Sequence, residues 1–167
     1  MTRAKIPRGK AGNFILPHST TSVVNQAARG GGHVTGSGSS AELPGKVMIN
    51  CAVPILAVLH SAKAEDYYCR VLGFQKTFAY RPDPTRSDPC YFGVARDGVS
   101  LHLDSFKPER AGMTGAFLQV SDVDQLYSEV SARGAICQLP PTDQTWGNRE
   151  THIRDQDGNV LCFANAS

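Results

Sequence analysis

Two helical stripes of apolar residues, 59 positions apart, limit the folds open to this 167-residue chain. The first stripe has the spacing i, i+3, i+4, i+7 and i+8 and consists of Ala64, Tyr67, Tyr68, Val71 and Leu72. The second repeats the first four of these spacings in Val123, Leu126, Tyr127 and Val130. Gly73 and Gly134 follow the stripes, as is typical of helix carboxyl ends. The repeat predicts two related halves, each with one amphipathic helix.

Strand-like segments surround each predicted helix in the same order. They cover residues 53–58, 75–80, 90–96 and 99–104 in the first half, and residues 116–120, 135–139, 149–154 and 160–164 in the second. Asp97-Gly98 is typical of a β-hairpin turn. Ser121-x-x-Asp124 predicts a capping box at the start of the second helix. The sequence therefore predicts an α+β fold made of two βαβββ modules.

Alternation along two of the predicted strands gives each of them a polar face. One face carries Ser100, His102 and Asp104, and the other carries Glu150, His152 and Arg154. Two polar strand faces in one small domain indicate either exposed sheet surfaces or a wet pocket. The pattern by itself leaves both alternatives open.

The first 47 residues differ in composition from the rest of the chain. Residues 1–45 contain eight of the 16 glycines, and the segment 29–40 is rich in glycine and serine. Such a segment cannot bury a core, so we predict a flexible basic extension over residues 1–47. Three origins are open for this extension: a leader, a cassette-derived extension or a cloning remnant. Residues 48–167 then form one domain.

The net charge changes sign near the same boundary. Five basic residues against Glu42 give residues 1–45 a charge of +4, and 12 basic against 14 acidic residues give residues 46–167 a charge of −2. The basic charges are sparse and lack interleaved aromatic residues, which disfavours a nucleic-acid partner. No apolar run reaches the roughly 18 residues of a membrane span. The five cysteines include no CxxC pair, so we expect free thiols in a cytoplasmic protein.

Two stretches of the chain resemble the vicinal-oxygen-chelate superfamily, which includes glyoxalase I, extradiol dioxygenases and bleomycin-resistance proteins. The first is Ala52-Val-Pro-Ile-Leu-Ala-Val58, followed by Tyr67-Tyr68 and Leu72-Gly73-Phe74. The second, Trp146-Gly-Asn-Arg-Glu150 with Asp155-Gln-Asp-Gly-Asn159, is similar to the ending of bleomycin-resistance proteins. The resemblance implies a cupped mixed sheet around a cavity that a second subunit of a homodimer helps to close.

Enzymes of that superfamily hold a metal with one side chain from each of four strands. The resemblance places these positions at Val53, His102, Gly115 and Cys162. Only His102 is an ordinary ligand, with Cys162 a poor second, whereas a catalytic metal normally has at least three protein ligands. The resemblance thus implies no metal and no cofactor, and it argues against an enzyme.

Superfamily members that have this ending and bind no metal protect against bleomycin by sequestering it. The resemblance therefore implies a non-catalytic protein that binds a cationic, aromatic-tailed antibiotic through aromatic faces and a mildly acidic groove. The candidate ligand-binding residues are Trp146, His102, Ser100, Asp104, Phe78, Tyr91, Arg149 and Cys162. Tyr80 and Phe92 are further candidates for aromatic faces.

Four alternatives stay open. In the first, the aromatic residues of the strands belong to the core rather than to a ligand-binding surface. In the second, Arg149 and Glu150 form a structural pair instead of contacting a ligand. In the third, the protein is a lyase, transferase or dioxygenase with an atypical metal site at His102 and Cys162. Least favoured is an interaction module whose basic extension contacts nucleic acid.

Overall fold

The computed structural model describes residues 48–166, which form two four-stranded mixed sheets. The predicted extension over residues 1–47 lies outside the described residues. The first sheet consists of β1 (Ile55–Ala57), β2 (Gln75–Tyr80), β3 (Tyr91–Arg96) and β4 (Val99–Asp104). The second consists of β5 (Gly115–Gln119), β6 (Ile136–Asp143), β7 (Asn148–Arg154) and β8 (Val160–Ala166).

Both sheets have the same topology. The strand order is β1-β4-β3-β2 in the first and β5-β8-β7-β6 in the second. The pairs β1–β4 and β5–β8 are parallel, and the other neighbours are antiparallel. One helical segment connects the first strand of each module to its second. The predicted α+β fold of two βαβββ modules is therefore confirmed.

The helices lie where the apolar stripes predict them. They are α1 (Ser61–Asp66), which continues as a π-helical turn over Tyr67–Val71, and α2 (Val123–Ala132); a 3-10 turn (Pro108–Arg110) precedes β5. All five residues of the first stripe are at most 9% exposed. Gly73 and Gly134 have φ angles of +77° and +90°, which a residue with a side chain rarely adopts, and each ends its helix as predicted.

The amino-terminal ends of the helices differ from the prediction. The residue that caps α2 is Asp122 rather than Ser121, because Asp122 is still extended and its Oδ1 accepts a hydrogen bond from the amide of Gln125 at 2.9 Å. The predicted capping box is therefore wrong by one residue. At α1, the carboxylate of Asp88, from the loop before β3, accepts the Ser61 amide at 3.0 Å. A distant loop thus caps this helix.

Two strand lengths also differ from the prediction. β1 has only three residues, although the carbonyl of Pro54 and the amide of Val58 still bond to β4 on either side of it. β6 has eight residues and includes Pro140 and Pro141. Proline is tolerated there because β6 is an edge strand with irregular pairing to β7.

The motif Asp155–Asn159 fastens the two modules together over a shared hydrophobic core. Asn159 is fully buried, and its side chain donates to the Ala57 carbonyl at 2.7 Å and accepts from the Thr114 hydroxyl at 2.6 Å. The buried carboxylate of Asp155 accepts from Asn159 Nδ2 at 2.8 Å and from the Tyr68 hydroxyl at 2.9 Å. We call this network the clasp. It joins β1, the first helix and the loop before β5 to the β7–β8 turn.

Between Met48 and Ala166, no helix combines the length and the apolar character needed to cross a membrane. The five cysteines, all within this part of the chain, are free thiols. Cys90 is buried, Cys51 is exposed, and the other three are half-buried.

Candidate functional site

Each sheet has one face packed against the hydrophobic core and one face that we call the open face. In β4, Leu101 and Leu103 are fully buried, and His102 between them lies on the open face. In β7, Ile153 is fully buried and the neighbouring His152 lies on the open face. The open faces therefore carry the polar residues predicted from alternation.

A row of four paired residues crosses each open face. In the first sheet the row is Ile55, His102, Gly93 and Phe78. In the second sheet it is Phe117, Cys162, His152 and Leu139. The rows occupy corresponding strands of the two modules, so each module contributes one half of the candidate site.

The first row and the neighbouring Tyr91 bring together three of the predicted residues, Phe78, His102 and Tyr91. The rings of Phe78 and His102 meet edge to face, with centroids 5.1 Å apart, and the Tyr91 hydroxyl lies 2.8 Å from His102 Nδ1. Gly93 makes room for this cluster, because a Cβ at that position would collide with the Phe78 ring. Burial lowers the pKa of His102 below 6.5, so the imidazole is neutral at pH 7. In the tautomer that carries the proton on Nε2, His102 Nδ1 accepts the hydrogen bond from the Tyr91 hydroxyl.

The second sheet holds a buried carboxylate in its open face. Glu150 is 4% exposed, and its Oε1 accepts from Trp146 Nε1 at 2.9 Å and from Asn148 Nδ2 at 3.2 Å. Its Oε2 lies 3.4 Å from His152 Nε2 and 3.6 Å from Cys162 Sγ. Hydrogen bonds, that of Trp146 above all, hold the pKa of Glu150 below 4.5 despite its burial.

Cys162 is a neutral thiol under ordinary conditions. Burial, followed by the charge of Glu150, raises its pKa to about 11. Because the thiolate is the reactive form, this cysteine is a poor nucleophile at neutral pH. The environment of Cys162 therefore does not favour covalent catalysis.

Trp146 is both exposed and fixed in place. It lies in the turn between β6 and β7 and is 66% exposed. The hydrogen bond from its indole nitrogen to Glu150 restrains the ring, although most of the indole surface faces solvent. Exposed tryptophan with a restrained ring is typical of a ligand-contacting aromatic residue.

The structure does not bring Arg149 to the other predicted residues. Arg149 lies on the opposite side of β7 from Glu150, where its Nε donates to Asp124 at 2.7 Å and its guanidinium also contacts Asp143 at 3.0 Å. An Arg149–Glu150 pair is therefore wrong, because adjacent strand residues face opposite ways. Phe92 is 1% exposed and belongs to the core, as the alternative interpretation of the strand aromatics expects.

Ser100 and Asp104 lie on the open face of β4 with His102. The Asp104 carboxylate accepts a hydrogen bond from the amide of Phe106 at 2.7 Å, so Oδ1 faces the loop that follows β4. Its charge also contributes, after burial, to a raised pKa of Tyr91. Asp104 therefore adds negative charge at the margin of the first row.

The residues present do not fit the four-strand metal site of superfamily enzymes. The strand register places Ile55 beside His102 and Phe117 beside Cys162, instead of the predicted Val53 and Gly115. Both replacements are apolar, so two of the four strands supply no donor atom. We derive no reaction through a metal at this position.

Glu150, His152 and Cys162 form a group of possible ligands that the sequence did not predict. Their ligand atoms all lie within 4.8 Å of one another. Alternation along β7 signalled that Glu150 and His152 share a face, but the register between β7 and β8 was needed to add Cys162. His102, the other predicted ligand, belongs to the Phe78 and Tyr91 cluster instead.

A cavity of about 380 Å³ lies away from the open faces. Its lining includes Phe74, Arg96, Leu118, Gln125, Glu129 and Phe163. None of the eight predicted ligand-binding residues lines it. The candidate site is therefore an open surface of this single chain and not this cavity.

Solved structures of antibiotic-binding proteins share this fold. The chain is similar to the bleomycin-binding protein of bleomycin-producing Streptomyces verticillus, solved with copper(II)-bleomycin, with a TM-score of 0.60 and 26% identity over 73% of this chain and 99% of that chain. It is also similar to TnmS3, an antibiotic-binding protein from Streptomyces sp. CB03234, with a TM-score of 0.56 and 27% identity over 72% of this chain and 100% of that chain.

A third structure comes from Sphaerobacter thermophilus DSM 20745, with a TM-score of 0.53 and 27% identity over 68% of this chain and 96% of that chain. No curated protein matches the sequence. A family model matches residues 49–163, which span nearly all of the described fold. The chain therefore belongs to the Glyoxalase/Bleomycin resistance protein/Dioxygenase superfamily.

Proposed function

We propose that this protein is a non-catalytic binder that sequesters a cationic, aromatic-tailed antibiotic of the bleomycin type. The observation that carries the proposal is Trp146, an exposed ring that a buried carboxylate holds in place. Such a ring offers a stacking surface whose orientation is fixed before the ligand arrives, which lowers the entropy cost of binding. The adjoining negative charge of Glu150 favours a cation.

The relatives support the same class of ligand. Two of the similar solved structures, at 26% and 27% identity, are named as bleomycin-binding and antibiotic-binding proteins. Members of the superfamily that act as enzymes need metal ligands on four strands, and Ile55 and Phe117 supply none here. The site chemistry therefore favours binding over catalysis.

We further propose that the protein works as a homodimer. Ile55 and Phe117, at corresponding places on edge strands β1 and β5, are 53% and 54% exposed. A partner subunit that covered both side chains would remove their apolar surface from water. A second copy placed there would turn each open face into one wall of an enclosed groove.

Calorimetric titration with metal-free and copper-loaded bleomycin tests the function. We expect saturable binding with a Kd in the micromolar range or tighter, and Trp146→Ala should weaken it by at least about tenfold, corresponding to about 1.4 kcal/mol. Val99→Ala is the matched control, since Val99 is also exposed but faces away from the row residues, and it should leave the Kd within about twofold.

The absence of heat and of a thermal shift with both forms of the drug would reject a bleomycin-type ligand. Equal binding by the wild type and Trp146→Ala would reject the site. The mass in solution, measured by light scattering with and without drug, tests the dimer separately. We expect twice the chain mass for the wild type and a monomer for Phe117→Asp, while a monomeric wild type would contradict the dimer.

A further inference from the structure

We propose that Glu150, His152 and Cys162 form a binding site for a divalent transition metal of the zinc type. The three side chains come from two adjacent strands, β7 and β8, and His152 pairs directly with Cys162 across them. The site differs from the four-strand position because it uses only one of those strands. It does not depend on the proposed antibiotic binding.

The two contacts of Glu150 Oε2 have the lengths expected between ligands of one zinc ion, and the three donor atoms all lie within 4.8 Å of one another. Tetrahedral zinc with bonds of about 2.1 Å to oxygen and nitrogen and about 2.3 Å to sulfur separates its oxygen and nitrogen ligands by roughly 3.4 Å and its oxygen and sulfur ligands by roughly 3.6 Å. Glu150 Oε2 lies 3.4 Å from His152 Nε2 and 3.6 Å from Cys162 Sγ. The contact between Oε2 and Nε2 is long for a hydrogen bond, and both distances suit atoms that share a metal.

The surroundings of Glu150 indicate a cation. The carboxylate is 4% exposed, and among residues 48–166 no lysine or arginine lies within ion-pair distance of it. Burying a carboxylate is costly unless it is paired or binds a metal. Among the described residues, its one ion-pair partner within reach is His152, which carries a charge only when it is protonated and is itself a candidate ligand.

The neighbouring residues also orient the carboxylate. Trp146 and Asn148 both donate to Oε1, which leaves Oε2 to face His152 and Cys162. Hydrogen bonds from neighbouring residues hold ligating carboxylates in one orientation in this way in metal sites. Oxygen, nitrogen and sulfur donors together suit zinc and cobalt better than calcium or magnesium. Three protein ligands leave a fourth position for water or a ligand on the open face.

Equilibrium dialysis of the full chain, reduced, against Zn²⁺ with metal analysis tests the site. We expect one zinc ion per chain at micromolar metal. With Co²⁺ we expect a thiolate-to-cobalt charge-transfer band and quenching of the fluorescence of Trp146, the only tryptophan. Cys162→Ser should abolish the band, and both Cys162→Ser and His152→Gln should weaken zinc binding by about 100-fold or more. His102→Gln, the matched control, should change it by less than about threefold.

Thermal unfolding shows whether each variant remains folded. If one of the two ligand variants does not fold, the other still tests the site. Failure of the wild type to bind stoichiometric metal would overturn the proposal. Retention of zinc by both Cys162→Ser and His152→Gln would assign the metal to other residues and overturn it as well. Equal loss in His102→Gln would place the metal at the four-strand position instead and would equally contradict the site. None of these outcomes depends on whether bleomycin binds.

Discussion

Gly93 shows how one residue controls the first row of the open face. It lies between His102 and Phe78 in the strand pairing, and the Phe78 ring occupies the space that a side chain at position 93 would need. The ring can therefore reach His102 and cover it. A glycine inside a strand is normally unfavourable, so its presence here is explained by this close approach.

We expect Gly93→Ala to destabilise the protein by about 1–3 kcal/mol, because the new methyl group forces the Phe78 ring and the nearby Thr77 hydroxyl to move. Chemical denaturation measures the change in the free energy of unfolding. In a Phe78→Ala background the same substitution should cost clearly less, since the nearest colliding atoms are gone. An equal cost in both backgrounds would contradict this packing.

Residue-level reasoning from the sequence found part of the site. Alternation correctly placed Ser100, His102 and Asp104 on one face, because that rule depends only on local geometry. The association of Glu150 with Cys162 depends on strand register, and the direction of Arg149 depends on which face of β7 meets α2. Neither is a local property, so the sequence alone did not predict them.

At the scale of elements, the start of the first helix depends on a loop from elsewhere in the module. Asp88 accepts the Ser61 amide at 3.0 Å and the Ser105 hydroxyl at 2.7 Å. Burial raises the pKa of Asp88, but these hydrogen bonds outweigh it, and the net pKa is below 3.8. The apolar stripe predicted this helix well, whereas a cap 27 residues away leaves no local signal.

The lowered pKa of Asp88 predicts a pH-dependent contribution to stability. A carboxyl group with a depressed native pKa stabilises the fold above its ordinary value of 3.8 and loses that contribution as the pH falls below it. Asp88→Asn should therefore cost about 1–2 kcal/mol at pH 7 and progressively less as the pH falls through the native pKa of Asp88, which lies below 3.8.

Urea unfolding at several pH values checks this expectation, with Glu109→Gln, in an exposed 3-10 turn, as a control that should stay within about 0.5 kcal/mol of the wild type. A cost for Asp88→Asn that is the same at both ends of the pH range would show that the charge of Asp88 is not involved.

At the scale of the whole molecule, the clasp explains why the DQDGN sequence matters to the fold. Asn159 makes hydrogen bonds to Ala57 and Thr114, and the carboxylate of Asp155, which also bonds to Asn159, accepts a hydrogen bond from Tyr68. The internal repeat predicted two modules. It did not predict how they join, because the joining residues lie outside the repeated stripes and strands.

Asn159→Ala should destabilise the protein by about 3 kcal/mol, since it leaves several buried donors and acceptors without partners. Gln156→Ala, in the same turn but exposed, should stay within about 0.5 kcal/mol of the wild type. Denaturant unfolding of both variants provides the comparison. Similar costs for the two would contradict the role of the clasp.

The open face that carries Trp146 is the proposed binding surface for a bleomycin-type antibiotic. Because Trp146 is the only tryptophan, its indole N–H gives a single resonance in a ¹H–¹⁵N spectrum of the protein, and titration with metal-free bleomycin reads the site directly. We expect that resonance to shift saturably, with the same Kd as calorimetry. An indole signal that stays unchanged at saturating drug would contradict the proposal.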